Sequence, residues 1–259
     1  MWKKTVNAMV MLSVLVVSPA SALVQTWEYQ IDAVFTQSAF DGNDYNIVQN
    51  DTILKWGTDT GEGRSRLRLI PSSADGQVNT YVGALPDISY WADSIALRHV
   101  NNPITGTSLL STVLRTTVLL DPLDPDNDPL PLQEFTFNIK FVETPNNGPH
   151  PSDIFALIGG FPDFTFNYDD GMEARDYYVN LFPSDGSVLI GLTGLAAQLA
   201  GVPEGTLGFT TPEDQTTTLP FAFTISTQPL NTPVPEPSTL ILLGTGLLGV
   251  ALLARRKNN

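Results

Sequence analysis

The sequence predicts an all-β body, a two-sheet antiparallel sandwich of jelly-roll type, with a hydrophobic segment at each end. Several stretches alternate apolar and polar residues with a period of two, and clusters of Gly, Pro, Asn and Asp separate them. Helical pattern is almost absent: LTGLAAQLAG alone reads as a helix, about two turns long. With 20 Gly, 20 Pro and 15% charged residues, the composition suits a turn-rich β protein, and without helices between strands the connections are antiparallel rather than βαβ.

Taken in order, residues 1–22 open with Lys3 and Lys4, continue through an apolar run from Ala8 to Val17 and end in Ala20-Ser21-Ala22. A charged start, a run too short to span a bilayer and a small-x-small site make a secretory signal, cleaved after Ala22. Residues 23–229 form a single β domain. TWEYQIDAVF puts Trp27, Tyr29, Ile31, Ala33 and Phe35 on one face, and QEFTFNIKFVET does the same with Phe135, Phe137, Ile139 and Phe141. DFTFNYDD and LPFAFTIST repeat the pattern through Phe164, Phe166 and Tyr168, then Phe221, Phe223 and Ile225. SLLSTVLRTTVLL and SVLIGL read as strands buried on both faces.

Between two strands, DPLDPDNDPLPL places Asp121, Asp124, Asp126 and Asp128 together. Clustered carboxylates suit calcium, yet the EF-hand spacing, its turn glycine and its closing glutamate are missing. A stiff solvated loop is the main reading, and calcium is the alternative. The two histidines, His99 and His150, could join Asp153 around zinc, but no metal-ligand spacing supports that. His99 and Asn101 share a strand face with Leu97 and are expected to share a hydrogen-bond network at the strand end.

Residues 230–259 combine three parts. Pro235, Glu236 and Pro237 sit in a proline-alternating strip that stays extended and accessible to enzymes that read backbone. The run from Leu240 to Ala254 has no charge and, at 15 residues, forms a helix of about 22 Å, a short membrane span. Arg255, Arg256 and Lys257 close it as a cytoplasmic stop.

Across about 27 residues, VPEPSTL, the short apolar span and ARRK resemble the PEP-CTERM sorting signal of exported Gram-negative proteins. That resemblance implies recognition at Pro235-Glu236-Pro237 by an exosortase, a membrane transpeptidase, and association with exopolysaccharide or biofilm. In the body, LKWGT, LRHVNNPI, FVETPNN and SDIFAL are similar to the THxN group of such proteins. His99 and Asn101 match the motif that names the group, while Arg98 stands where its threonine would be.

Charge bounds the partners. Acidic residues number 27 against 13 basic, and five of the basic ones lie at the extreme ends. Such a surface repels phosphate backbones, so no nucleic acid is expected. The chain has no cysteine, which removes disulfides and thiol chemistry. No GxSxG elbow or phosphate-binding glycine loop is present. The expected protein is therefore non-enzymatic, exported by the general secretory route, transiently in the inner membrane, and then at the cell surface or outside. Its partners are an exosortase, the membrane through the C-terminal helix, and extracellular polysaccharide. Two alternatives are a jelly-roll carbohydrate-binding module, stacking sugars on Trp27, Trp56 or Trp91, and a hydrolase without a recognisable motif.

Overall fold

A computed structural model describes residues 23–42, 47–83, 87–126, 128–146, 148, 152–161, 164–169 and 173–229. The signal segment with Ala20 and Ala22, and the C-terminal strip, span and basic stop, lie outside these residues, as does His150.

The described residues are mostly strand. The first half contains β1 (Thr26–Phe40), β2 (Val48–Gln49), β3 (Ile53–Trp56), β4 (Thr58–Asp59), β5 (Ser65–Leu69), β6 (Ser73–Tyr81), β7 (Ala92–Asn101) and β8 (Ile104–Thr105). The second half contains β9 (Leu109–Asp124), β10 (Gln133–Val142), β11 (Ser152–Ile158), β12 (Phe164–Asp169), β13 (Ala174–Pro183), β14 (Ile190–Gly191), β15 (Leu207–Pro212) and β16 (Gln215–Ser226). A 3-10 turn covers Ile88–Tyr90 and the one described α-helix, α1, covers Gly194–Ala200.

One ladder runs β14-β15-β11-β10-β9-β1-β6-β16-β7-β5-β3-β2, with β13 also on β16 and β12 on β13. Strand β6 joins its halves: most of its length pairs antiparallel with β1, and Thr80 and Tyr81 then pair parallel with Ile225 and Ser226. That parallel step makes the sheet mixed, where wholly antiparallel pairing was expected. The halves face each other through one aromatic-rich core. The Trp27 ring meets Phe166, Tyr168 and Tyr177 edge-on at 5.3 to 5.5 Å, and Tyr29 meets Phe223 at 4.7 Å. Edge-to-face pairs of this kind add to the burial of their apolar area.

Alternation in β1 and β10 follows the sequence reading, because their outer faces meet solvent. Strand β9 differs. Thr112, Leu114, Thr116, Val118 and Leu120 point inward while Leu110 and Leu119 are exposed, so it is half-buried rather than covered on both sides. SVLIGL forms only the two-residue β14. Helix α1 lies where LTGLAAQLAG predicts and packs Ala197 and Ala200 on Ile154, Ala156 and Leu192.

Register gives the body two distinct poles. At one, the chain enters and leaves: Gln25 N–H bonds the Asp124 carbonyl, Val24 N–H bonds the Tyr177 hydroxyl, and Thr227 N–H bonds the Tyr81 carbonyl. At the other, β7 ends at Asn101 opposite Gln215, β10 ends at Val142 and β11 begins opposite Pro212. His99 lies opposite Thr217, nine residues from Ser226 along β16, which is about 30 Å of strand.

Candidate functional site: a closed acid cluster at the far pole

Strand parity assembles this site. His99 and Asn101 point inward from β7, Trp56 from the end of β3, and Asp153 and Thr211 lie directly opposite one another on β11 and β15. Glu143 and Thr144 follow β10, where the same alternation that buries Phe141 turns Glu143 inward. The stretches LKWGT, LRHVNNPI, FVETPNN and SDIFAL thus come together at one pole, although they are far apart in the chain.

His99 is 1% exposed and neither ring nitrogen has a hydrogen-bond partner. Its ring lies parallel to Trp56 at 5.9 Å and meets Phe141 edge-on at 5.1 Å. Nε2 is 3.7 Å from Asp153 Oδ2. Burial, with no partner to offset it, drives the imidazole down to about 3, so His99 is neutral at physiological pH. Burial, reinforced by the neighbouring Glu143, pushes Asp153 up to about 9. Glu143 rises to about 7, chiefly by burial, with Trp56 Nε1 donating to its Oε2 at 2.8 Å and opposing the rise. Glu213 beyond β15 is also raised by burial. The approach of His99 to Asp153 therefore joins two neutral groups rather than an ion pair.

A proton on Asp153 relieves the repulsion that the Glu143 carboxylate exerts on it. Thr144 N–H donates to Asp153 Oδ1 at 3.0 Å, fixing that carboxyl from its other side. Asn101 Nδ2 donates to the Thr211 carbonyl at 2.9 Å. The network expected between His99 and Asn101 does not form: Asn101 ties β7 to β15, while His99 is held by ring packing. Asn102 Nδ2 donates to the Glu62 carbonyl at 2.9 Å, and Ser65 Oγ donates to the Asn102 carbonyl at 3.0 Å. Those bonds hold the loop that closes the pole.

Chemically the cluster can hold and share protons. Its opening to solvent is Glu143, which borders a concavity of about 340 Å³ with Ile104, Thr105 and Asn146 and a second of about 720 Å³ with Asp41 and Lys140. His99 and Asp153, each 1% exposed, lie behind it.

Local pattern identifies His99 and Asn101, considers Asp153 only as a zinc partner and Trp56 only as a sugar-stacking ring, and misses Glu143, Thr211 and Glu213. Glu143 was within reach, since the β10 alternation counted one step further places it inside. Asp121 and Asp124 sit on the last turn of pleat in β9, opposite Glu28 and Thr26, and Asp126 bridges Leu123. Tyr168 donates its hydroxyl to the Asp128 carbonyl at 3.0 Å. Among the described residues no three His, Asp or Glu side chains are grouped to hold a metal ion. Trp27 and Trp56 are wholly buried, so of the three tryptophans considered for sugar stacking only Trp91 has an exposed face.

Residues 233–257 match the PEP-CTERM protein-sorting motif. The match includes Pro235, Glu236 and Pro237 together with the apolar run and the basic stop. No curated protein matches this chain. The motif makes the chain a substrate of exosortase-type sorting and so an exported protein, carried to the cell surface by way of the membrane.

Proposed function

We propose that this exosortase substrate is a non-enzymatic cell-envelope or extracellular-matrix protein. On this reading the leader is cleaved after Ala22 and residues 240–254 hold the chain briefly in the inner membrane. The strip Pro235-Glu236-Pro237 is then read and the C-terminus removed. The body, residues 23–229, is a two-sheet sandwich of jelly-roll type, an assignment supported by the ring contacts between the facing halves. Its destination is exopolysaccharide or biofilm material at the surface or outside the cell.

The observation that carries the non-catalytic reading is closure of the acid cluster. His99 and Asp153 are each 1% exposed, so no substrate atom can come within the roughly 3 Å that proton transfer to or from them requires, and Glu143 is the member of the cluster that borders open space. They are better explained as architecture that joins β7, β10, β11 and β15. The acidic stretch from Asp121 to Asp128 is a solvated turn on the same reading, with calcium as the alternative.

Intact mass of the protein recovered outside an exporting cell tests the sorting half. Loss of the sequence LLGVALLARRKNN is expected, and its retention would refute processing near the strip. Passage of the body over immobilised extracellular polysaccharide tests the destination. Retention that persists at high salt supports it, because a neutral glycan contact is not screened.

A further inference from the structure

We infer that the pole at which the chain leaves the body docks on the lipid–water interface through Val82, Ile88 and Trp91. The inference rests on the sorting reading, since the apolar run brings the body to the bilayer. Val82 is 71% exposed and Ile88 75%, high values for large apolar side chains, and Trp91 is 36% exposed. Tyr90 packs edge-on against Tyr81 at 5.1 Å, which brings the turn carrying Ile88 and Trp91 beside the end of β6 at Val82, and Trp91 packs against Phe182 at 4.7 Å.

The same loop grips the departing chain. Thr227 N–H bonds the Tyr81 carbonyl at 3.0 Å, and Gly83 N–H bonds the Thr227 hydroxyl at 3.1 Å. From Pro229 to the apolar run at Leu240 is at most about 40 Å of extended chain. The aromatic and aliphatic surface is therefore always within a short tether of the bilayer. Tryptophan and tyrosine rings rimmed by aliphatic groups are the chemistry that settles at a headgroup layer. A short tether raises the effective concentration to about millimolar, so a contact too weak to recruit a free protein suffices to orient a tethered one. The strongly acidic body selects a zwitterionic rather than an anionic surface.

Fluorescence quenching tests this in the full-length chain carrying Trp2→Phe, reconstituted in phosphatidylcholine vesicles whose acyl chains are brominated near the headgroup. Trp27 and Trp56 are wholly buried, so the emission that quenches belongs to Trp91. The expected result is co-flotation with the vesicles and loss of roughly a third of the emission, one tryptophan in three. Trp91→Phe abolishes the quenching, and Ile88→Asp reduces it at least twofold without changing the circular dichroism spectrum. Co-flotation without quenching overturns the docking and leaves the membrane anchor standing. Failure to co-float overturns both.

Discussion

Raising the pH from 6 to 8 destabilises this protein, and the acid cluster sets the amount. Asp153 keeps its proton in the folded chain up to about 9 but releases it near 3.8 once unfolded. Between those values the unfolded state binds fewer protons, so stability falls by about 1.4 kcal/mol per pH unit. Glu143, raised from 4.5 to about 7, adds a second loss up to that pH. His99 acts in the opposite sense: its folded value is depressed to about 3, so the unfolded state takes up the extra proton below 6.5. This gives a partly offsetting gain as pH rises, exhausted soon after pH 6.5. From pH 6 to 8 the sum is a loss of about 3 kcal/mol, which lowers the melting temperature of a body this size by roughly 6 to 12 °C. Asp153→Asn keeps the acceptor for Thr144 N–H and supplies Glu143 with a donor that never ionises. Its melting temperature should fall much less over the same range and should exceed that of the wild type at pH 8. Thermal melts followed by circular dichroism at pH 6, 7 and 8 measure both chains. A wild-type melting temperature that stays level or rises over this interval would refute the claim that burial holds protons on Asp153 and Glu143.

Trp27→Ala removes the ring at the centre of the aromatic contacts and should cost about 3–5 kcal/mol in urea melts. Gly208→Ala places a Cβ 2.3 Å from the Phe155 carbonyl oxygen, so β15 must move off β11. A loss of at least about 2 kcal/mol is expected, with faster amide exchange at Thr210 and Thr211. Trp56→Phe keeps most of the packing but removes the donor to Glu143, and should cost about 1–3 kcal/mol at pH 7. Millimolar calcium should leave the melting temperature unchanged, and a clear rise would assign the cation to the acidic stretch.

Strands with one face in the core and one in water declare themselves, and β1 and β10 were legible for that reason. SLLSTVLRTTVLL reads correctly as a strand, β9, but its half-burial is not legible, because leucines on its outer face and threonines on its inner face erase the period. Strand β14 was overread because an apolar run needs a neighbour along its whole length to become a strand, and β15 pairs with only Ile190 and Gly191. The site divides along the same line. That His99 and Asn101 belong together follows from strand parity. That Asp153 meets His99 depends on how two halves of a ladder face each other, which no local pattern contains. The parallel step in β6 that sets this facing rests on only two residue pairs.

Strand β16 is the last among the described residues, yet it lies between β13 on one side and β6 and β7 on the other. If the chain crosses the membrane N-terminus first, as the proposed export route requires, it cannot complete that half of the ladder until Ser226 has emerged. Only some fourteen residues then separate Ser226 from the apolar run at Leu240. On the proposed route, final folding and arrival of the sorting signal are nearly simultaneous, and the body would close beside the bilayer rather than free in solution. Stalling the chain before residue 215 would leave the edges of β6, β7 and β13 open, so the order of export also governs when the protein is vulnerable to aggregation and proteolysis.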